Sequence, residues 1–403
     1  MIEFLKVVTV QEALRLIAGA LPYRDWEVVT LPFALGRELA EPVYSPEPIP
    51  SFPRSTVDGY AVCAADTFGC SESLPAFLEY RGEIQIGNKP DLAIMPGQCC
   101  WIPTGGMLPS GTDAVVMVEY TERLGDDTVL VFRPVGPGEN IMHIGEDAPE
   151  GSLLLPQGHW LRSQDLGLLA SAGVKQVKVW KPYRVGIIST GNEIVPLDVC
   201  PQPGQVRDVN SISLAAAVQS AAAVAKTYSI VPDDYDKLRQ AVAAACEEND
   251  WVLMSGGSSV GVKDMTLEVL MSFPHAQLLF HGVAVKPGKP TLAVRIGDKL
   301  VVGLPGHPVS ALTMFGVICR PFLDSKPPSQ VIAVAGANIA SQAGRDDYIP
   351  VSLKDIDGRR VADPLLGKSG LMTVLAQADG YIHIGYQQQG VLSGESVLVT
   401  RFD

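Results

Sequence analysis

The fold is decided by residues 251–261, Trp251-Val252-Leu253-Met254-Ser255-Gly256-Gly257-Ser258-Ser259-Val260-Gly261. The first four residues form a short apolar run typical of a buried strand, and the glycines favour a tight turn into a helix. Similar apolar runs occupy residues 185–188 and 228–231, and the segments between these runs have helical patterns. Strands that alternate with helices predict a parallel sheet covered by helices on both faces.

Three helices of this region have recognisable starts or ends. Asn210-Ser211 supplies a side-chain acceptor for an alanine-rich helix expected to run to Ala225, and Asp233-Asp234 does the same for a helix over residues 235–248. A third helix is expected over residues 309–323. The pattern changes near Lys181-Pro182, where we expect a domain boundary.

The remaining sequence is rich in short strands. Residues 31–145 contain apolar runs separated by Pro and Gly, between helical patterns at residues 10–20 and 163–172. After Pro327-Pro328 the chain shows short alternating strands with Gly turns, which predict a small β-barrel or sandwich. The fold class is therefore α/β plus β, in several domains.

Composition narrows the class of protein. The chain has 403 residues, 47% hydrophobic and 19% charged, with a net charge of −13, so it is globular and poorly suited to broad binding of nucleic acid or anionic membranes. The amino terminus lacks a signal-peptide layout and no window is long and apolar enough to span a membrane, so we expect a cytoplasmic protein. Seven cysteines without a CxxC pair argue against a disulfide framework and a zinc ribbon.

The glycine loop is a candidate phosphate site. Backbone N–H groups of residues 255–261 can face a phosphate at the start of the following helix. The alternative is an ordinary turn from strand to helix. The loop is not a P-loop, because Val262 stands where that motif needs Lys.

Four carboxylates fall at the ends of predicted elements. Glu193, Asp233 and Asp264 should face one crevice beyond the carboxyl ends of the strands, and Asp58 lies in the β-rich segment. Three acids beside a phosphate loop predict Mg²⁺, which bridges carboxylate and phosphate oxygens. For Asp233, a helix cap is an equally good interpretation.

Two further turns are candidates. Lys286 and Lys289 lie in the stiff stretch Val285-Lys286-Pro287-Gly288-Lys289-Pro290, where their ammonium groups could meet a phosphate or another oxyanion at little ordering cost; a surface hairpin is the alternative. Residues 303–308 form a rigid turn into a helix, and a purely architectural role is the stronger interpretation there.

Taken in order, these strings resemble the molybdopterin molybdenumtransferase family, the MoeA-like proteins that include the E domain of gephyrin. The resemblance spans nearly the whole chain. The matching strings are Ser55-Thr56-Val57-Asp58-Gly59-Tyr60-Ala61-Val62, Thr104-Gly105-Gly106, Gly111-Thr112-Asp113-Ala114-Val115-Val116, Gly145-Glu146-Asp147, Ser189-Thr190-Gly191-Asn192-Glu193, residues 255–261 with Asp264, Lys286-Pro287-Gly288-Lys289-Pro290, residues 303–310, Gly344-Arg345 and Ser369-Gly370.

The resemblance implies four structural parts and a reaction. The parts are a linking domain (residues 1–26 and 146–180), an inserted β-rich domain (27–145), a three-layer α/β/α molybdopterin-binding domain with a mostly parallel sheet (181–326) and a β-barrel (327–403). It implies a homodimer whose active sites are shared between the chains. The reaction is Mg²⁺-dependent insertion of molybdate, or tungstate, into adenylylated molybdopterin with release of AMP.

The resemblance also assigns roles to matching residues. Asp58, Glu193, Asp233, Asp264 and Lys286 would be catalytic, and Glu193, Asp233 and Asp264 would hold the metal. The implied substrate-binding residues are Thr104, Asp147, Ser255, Gly256, Gly257, Ser258, Ser259, Gly261, Lys289, Pro305, Pro308, Arg345 and Ser369.

Two positions depart from the family pattern. The family often has arginine just before the Gly145-Glu146-Asp147 match, where Met142 and its neighbours contain none, and often has a basic residue at the position of Gly282. Both departures remove positive charge from the path by which molybdate would reach the active site. They leave open an alternative function, a molybdopterin-binding carrier or storage protein with degenerate catalysis.

Overall fold

The computed structural model describes residues 7–256, 262–324, 326, 328–367 and 370–402, without the side chains of residues 262–264. The chain forms two compact units, one of Trp26–Trp180 and one of Met1–Asp25 with Lys181–Asp403. The finer division into four domains with the boundaries given above stays a prediction.

A six-stranded, mostly parallel sheet is the centre of the larger unit. In spatial order its strands are Val224–Thr227, Arg184–Thr190, Trp251–Gly256, Lys299–Leu304, Leu292–Ile296 and Ala276–His281. Leu292–Ile296 runs against both of its neighbours. Along strand Trp251–Gly256, Trp251 and Leu253 enter one apolar core while Val252 and Met254 enter another. Both faces of the sheet are therefore covered, which confirms the expected three-layer α/β/α arrangement.

The covering helices divide between the two faces. Helices Val10–Ala18, Asn210–Ser220 and Pro308–Met314 contribute to the first core, whereas Tyr235–Glu248 and Val262–Met271 contribute to the second. Helix Pro308–Met314 continues through a π-helical segment, Phe315–Cys319, into the short helix Arg320–Leu323. A small parallel pair, Ile194–Val195 with Val206–Arg207, follows strand Arg184–Thr190 along the chain.

Two details of the sequence prediction were wrong here. The alanine-rich helix ends at Ser220 rather than Ala225, since the chain turns at Ala222, whose φ is +54°. The next strand is Val224–Thr227 rather than residues 228–231, and it pairs with Arg184–Thr190 at the edge of the sheet. Alanine favours helix locally, but pairing with the sheet outweighs that preference.

The carboxyl-terminal region of the same unit forms a β-barrel. The strands follow the order Val285–Lys286, Asp346–Ile356, Arg359–Pro364, Gln330–Ala335, Ser396–Arg401 and Gly380–Ile384. Pairing of Gly380–Ile384 with Asp346–Ile356 closes the barrel around a small apolar core. A minor pair, Ile339–Ala340 with Gly390–Val391, and helix Met372–Ala376 complete the region.

The smaller unit contains a second six-stranded sheet. Its strands follow the order Ala114–Met117, Gly59–Val62, Gln98–Ile102, Ala76–Glu83, Thr128–Val131 and Thr121–Leu124. The unit also contains helix Ser163–Ser171, three 3₁₀ turns (Leu31–Phe33, Ala64–Thr67 and Val118–Tyr120) and three short antiparallel pairs, Trp26–Thr30 with Gln176–Trp180, Val43–Tyr44 with Leu153–Leu155, and Arg54–Ser55 with Ile141–Met142. In the part of the chain that the structure describes, no helix has the length and apolar character needed to cross a bilayer.

Candidate active site

Three chain segments meet at the carboxyl edge of the parallel sheet. Thr190 is in register with Gly256 on the neighbouring strand, and it also forms an isolated parallel bridge with Val231. The N–H of Gly191 donates to the carbonyl of Val231 at 3.1 Å. The loop that carries Glu193, the segment that leads to Asp233 and the start of the glycine loop are therefore adjacent.

Glycine is required where these segments touch. Gly256 has a φ of +128°, and a Cβ there would lie 2.0 Å from the carbonyl oxygen of Thr190. Gly191 has a φ of +149°, and a Cβ there would lie 2.7 Å from Oε2 of Glu193. The glycines thus let the glycine loop start directly against Thr190 and let the carboxylate of Glu193 fold back over its own loop.

Asp233 has a buried carboxylate oxygen with unused bonding capacity in the described part of the chain. Its backbone N–H donates to Oδ1 of Asn192 at 3.1 Å, which holds it beside the Glu193 loop. Its Oδ1 is buried and has no hydrogen-bond partner among the described residues. The cap of helix Tyr235–Glu248 is Asp234, whose Oδ1 accepts the N–H of Lys237 at 2.9 Å. Helix capping therefore does not account for the side chain of Asp233.

The donors present fit a magnesium ion. Mg²⁺ is usually held by one or two carboxylates together with waters and substrate phosphate, and Glu193 and Asp233 offer two such carboxylates at one edge. The buried Oδ1 of Asp233, to which no described residue donates a hydrogen bond, would gain a partner from a cation. Among the residues with described side chains, no three or more His, Cys, Asp or Glu residues form a metal-binding group. The third predicted ligand, Asp264, lies outside those residues, as do Gly257, Ser258, Ser259, Gly261 and Ser369.

A buried polar network beneath this edge was missed by sequence reasoning. The hydroxyl of Ser189 donates to Oδ1 of Asp208 at 2.9 Å and lies 3.4 Å from the hydroxyl of Ser255. The same Oδ1 accepts the N–H of Ser211 at 3.0 Å, so Asp208 supplies the side-chain acceptor for the first turn of this helix that we expected from Asn210-Ser211. The spacing of three residues between Asp208 and Ser211 was the available signal.

The rigid turn before helix Pro308–Met314 also lies at this edge. Asn210 donates from Nδ2 to the carbonyl of Gly306 at 2.9 Å, while its Oδ1 is buried without a partner in the part of the chain that the structure describes. Pro305 is buried, and Pro308 is the first residue of the helix, where a missing N–H has no cost. The structure thus ties the turn that carries the two predicted prolines to the start of helix Asn210–Ser220.

The predicted basic residues lie where the α/β region joins the barrel. Lys286 and Lys289 are exposed, and strand Val285–Lys286 pairs in parallel with the start of Asp346–Ile356. Between the lysines, Gly288 has a φ of +121°, and a Cβ there would lie 2.3 Å from the side chain of Met314. Arg345 immediately precedes the paired barrel strand, so the structure brings it to the same junction as Lys286.

The smaller unit brings Asp58 and Thr104 together. Oδ1 of Asp58 accepts the backbone N–H of Thr104 at 2.7 Å and its hydroxyl at 2.9 Å. These two bonds, the backbone one first, hold the pKa of the exposed Asp58 carboxyl below its ordinary value. Asp147 is exposed, and its backbone N–H donates to the carbonyl of Ile49 at 3.0 Å.

The two departures from the family pattern have local structural settings. Met142 is the register partner of Arg54, and Nη2 of Arg54 lies 3.4 Å from the sulfur of Met142, so a cation is present on the neighbouring strand. Gly282 has a φ of +108°, and its carbonyl accepts the N–H of Val8 at 3.1 Å. A basic side chain at that position would be strained in this backbone conformation.

Family models cover most of the chain. Residues 8–173 match the MoeA N-terminal region (domains I and II), residues 186–325 match the probable molybdopterin binding domain, and residues 333–402 match the MoeA C-terminal region (domain IV).

Individual proteins are similar along nearly their full length. The molybdopterin molybdenumtransferase of Haemophilus influenzae is 31% identical, with 98% of this chain and 99% of that protein covered. The enzyme of the same name from Nostoc is 34% identical, with 93% and 88% covered. The crystal structure of the molybdopterin biosynthesis MoeA protein from Pyrococcus horikoshii superposes with a TM-score of 0.86 at 33% identity, with 98% of this chain and 100% of that chain covered. The chain therefore belongs to the MoeA-like family of molybdopterin molybdenumtransferases, enzymes of molybdenum cofactor biosynthesis.

Proposed function

We propose that this chain inserts molybdate, or tungstate, into adenylylated molybdopterin in a Mg²⁺-dependent reaction that releases AMP, and that it acts as a cytoplasmic homodimer whose sites draw residues from both chains. Membership of the family supports the reaction class. The observation that carries the detailed proposal is the buried carboxylate oxygen of Asp233 beside the Glu193 loop, for which the described residues supply no hydrogen-bond partner.

The sheet edge would bind the phosphates. Bound there, Mg²⁺ would neutralise charge on the phosphate oxygens of the substrate. Asp233 and Glu193 would hold the ion, with Asp264 as a third ligand. The glycine loop begins at Gly256 against Thr190, so its backbone N–H groups can be directed at a phosphate beyond the strand end.

The basic junction, by which we mean Lys286, Lys289 and Arg345, would bind the incoming oxyanion. Lys286 and Lys289 are exposed on either side of Pro287-Gly288, whose packing against Met314 limits the movement of the turn between them. Arg345 adds a planar guanidinium that suits two oxygens of one anion. Ser369, Pro305 and Pro308 complete the set that we propose for substrate binding.

Asp58 and Thr104 would act as a unit. The two hydrogen bonds from Thr104 keep Asp58 ionised and fix the carboxylate in one orientation. An oriented carboxylate can accept a proton or hold a cation, and Asp58 is exposed and so accessible to a substrate. Asp147 would be a further acidic member of this set.

The test is a product assay with the purified, full-length protein. Incubation with adenylylated molybdopterin, Mg²⁺ and molybdate should release AMP and form molybdenum cofactor in equal amounts. Sulfate in place of molybdate is the control, and it should give no cofactor. Absence of AMP release at saturating molybdate, with tight binding of molybdopterin retained, would contradict the proposal and favour the carrier function.

A further inference from the structure

Asp347 is a buried carboxylate that the proposed function leaves without a role. It is the second residue of strand Asp346–Ile356, and the parallel pairing sets it in register with Lys286. Register partners in a sheet point to the same face, while successive residues along a strand point to opposite faces. Asp347 and Lys286 therefore share a face, and Asp346 points to the other one.

Asp347 holds the guanidinium of Arg345 through both of its oxygens. Nε of Arg345 donates to Oδ1 at 2.8 Å, and Nη2 donates to Oδ2 at 3.4 Å. Oδ2 also accepts the hydroxyl of Ser341 at 3.0 Å. The side chain of Asp347 is 1% exposed and that of Arg345 is 31% exposed. A carboxylate this deeply buried is stable only with its hydrogen-bond partners, so Asp347 keeps a fixed position. Its two bonds therefore fix the orientation of the partly exposed Arg345.

The anchoring leaves one edge of the guanidinium for a ligand. A guanidinium has five N–H donors, and Asp347 takes the edge formed by Nε and Nη2. The described residues give Nη1 of Arg345 no hydrogen-bond partner. The edge formed by Nη1 and Nη2 can therefore donate to two oxygens of one anion.

We propose that Asp347 is a positioning residue that orients Arg345 for a tetrahedral oxyanion, molybdate or tungstate, at the face shared with Lys286. This inference rests on the proposed function of the basic junction. Without Asp347 the long arginine side chain would have to be ordered when the anion binds, and that ordering would weaken binding.

Electrostatics alone predicts the opposite effect of removing Asp347 on the affinity for the anion. Removing a negative charge beside Arg345 and Lys286 makes the junction more positive, which on its own would tighten anion binding. The two effects can be separated by one measurement, because an account based on charge predicts stronger binding to an Asp347→Asn protein and an account based on orientation predicts weaker binding.

The experiment is calorimetric titration of the full-length protein with sodium molybdate and, separately, sodium tungstate. Asp347→Asn should weaken binding about tenfold, and Ser341→Ala, which removes one bond to the same carboxylate, should weaken it about twofold to threefold. Asp346→Asn is the matched control. It removes a buried charge from the same strand but faces His383, which lies 2.7 Å from its Oδ1, so oxyanion binding should not change.

A double variant tests whether Asp347 acts through Arg345. Lysine cannot use a two-oxygen fork, so Arg345→Lys should weaken binding, and adding Asp347→Asn to it should cause little further loss. If Asp347→Asn fails to fold, as judged by its thermal transition, Ser341→Ala carries the test. A second measurement, independent of stability, is the molybdate concentration that gives half-maximal AMP release. In the Asp347 and Ser341 variants this concentration should rise by a larger factor than the factor by which kcat falls.

The outcomes distinguish the two levels of proposal. If the wild-type protein binds the oxyanion, an unchanged or smaller dissociation constant in Asp347→Asn would overturn this inference alone. Where only Ser341→Ala folds, the same result in that variant would overturn it. Equal losses in Asp346→Asn and Asp347→Asn would also overturn it, because the effect would then come from the strand. A wild-type protein that binds neither oxyanion would overturn both this inference and the proposed oxyanion site.

Discussion

The carboxyl edge of the parallel sheet and the Asp58–Thr104 turn of the smaller unit hold their acidic residues in opposite ways. At the sheet edge, Asp233 has a buried carboxylate oxygen that no described residue pairs with through a hydrogen bond. At the turn, Asp58 is exposed, and one of its oxygens accepts two hydrogen bonds. A buried oxygen without a partner gains most from a bound cation, whereas a hydrogen-bonded, exposed carboxylate is kept ionised and oriented.

The largest expected effect is loss of turnover at the sheet edge. We expect Asp233→Asn to lower AMP release by about 100-fold while the affinity for molybdopterin changes little, because the amide would hold Mg²⁺ poorly but keep the shape of the side chain. Rate assays at saturating substrate and a separate binding titration check the two quantities.

Asp234→Asn is the matched control for that substitution. It removes the same charge one residue away, and asparagine is as good a helix cap as aspartate, so both turnover and stability should be close to wild type. Equal loss of turnover in the two variants would show that net charge, rather than the unpartnered oxygen of Asp233, matters here.

The second prediction concerns the close backbone approach that starts the glycine loop. Gly256→Ala should lower the free energy of unfolding by more than about 3 kcal/mol, because the added methyl would meet the carbonyl oxygen of Thr190 in a backbone conformation that also disfavours alanine. Gly297→Ala is the control, with a φ of +61° and open space around the added atom, and it should cost about 1 kcal/mol. Urea unfolding measures both; similar losses would mean that the contact with Thr190 is unimportant.

The smallest expected effect is a change in the titration of Asp58. Its pKa in the folded protein is below the ordinary value, so any stability that it contributes is present above the unfolded-state pKa and is lost as the pH falls through the lowered one. Thr104→Val removes the hydroxyl bond and leaves the backbone bond, so the pKa should rise part of the way back.

Carbon-13 NMR of the aspartate carboxyl groups would follow that titration directly. Thr112→Val, at a threonine whose hydroxyl donates to the carbonyl of Pro109, is the control and should leave the pKa of Asp58 unchanged. An Asp58 that titrates at the same pH in wild type and Thr104→Val would remove the hydroxyl from our explanation of the lowered pKa.

Local sequence patterns predicted some helices and strands of the α/β region well and the end of one helix poorly. Helix Tyr235–Glu248 has the bounds that its acidic start and apolar spacing suggested, and strand Trp251–Gly256 follows from its apolar run. The end of helix Asn210–Ser220 could not be predicted in this way, because pairing of Val224–Thr227 with the sheet overrides the helical preference of alanine.

The supporting side chains of the candidate site were the part least visible in the sequence. Ser189 meets Asp208 across a gap of 19 residues, and no local spacing signals that bond. Arg345 was found through the resemblance, but the anchoring role of Asp347 depends on which face of the strand each residue occupies. Such contacts follow from tertiary packing, so a single sequence does not specify them.

AMP release by the wild-type protein, followed as Mg²⁺ is titrated at saturating molybdate, tests most directly whether the sheet edge works as a metal-assisted phosphate site. We predict that the rate saturates with Mg²⁺ and falls to background when EDTA removes the ion. A rate that is unchanged after EDTA treatment would contradict the proposed role of Asp233 and Glu193.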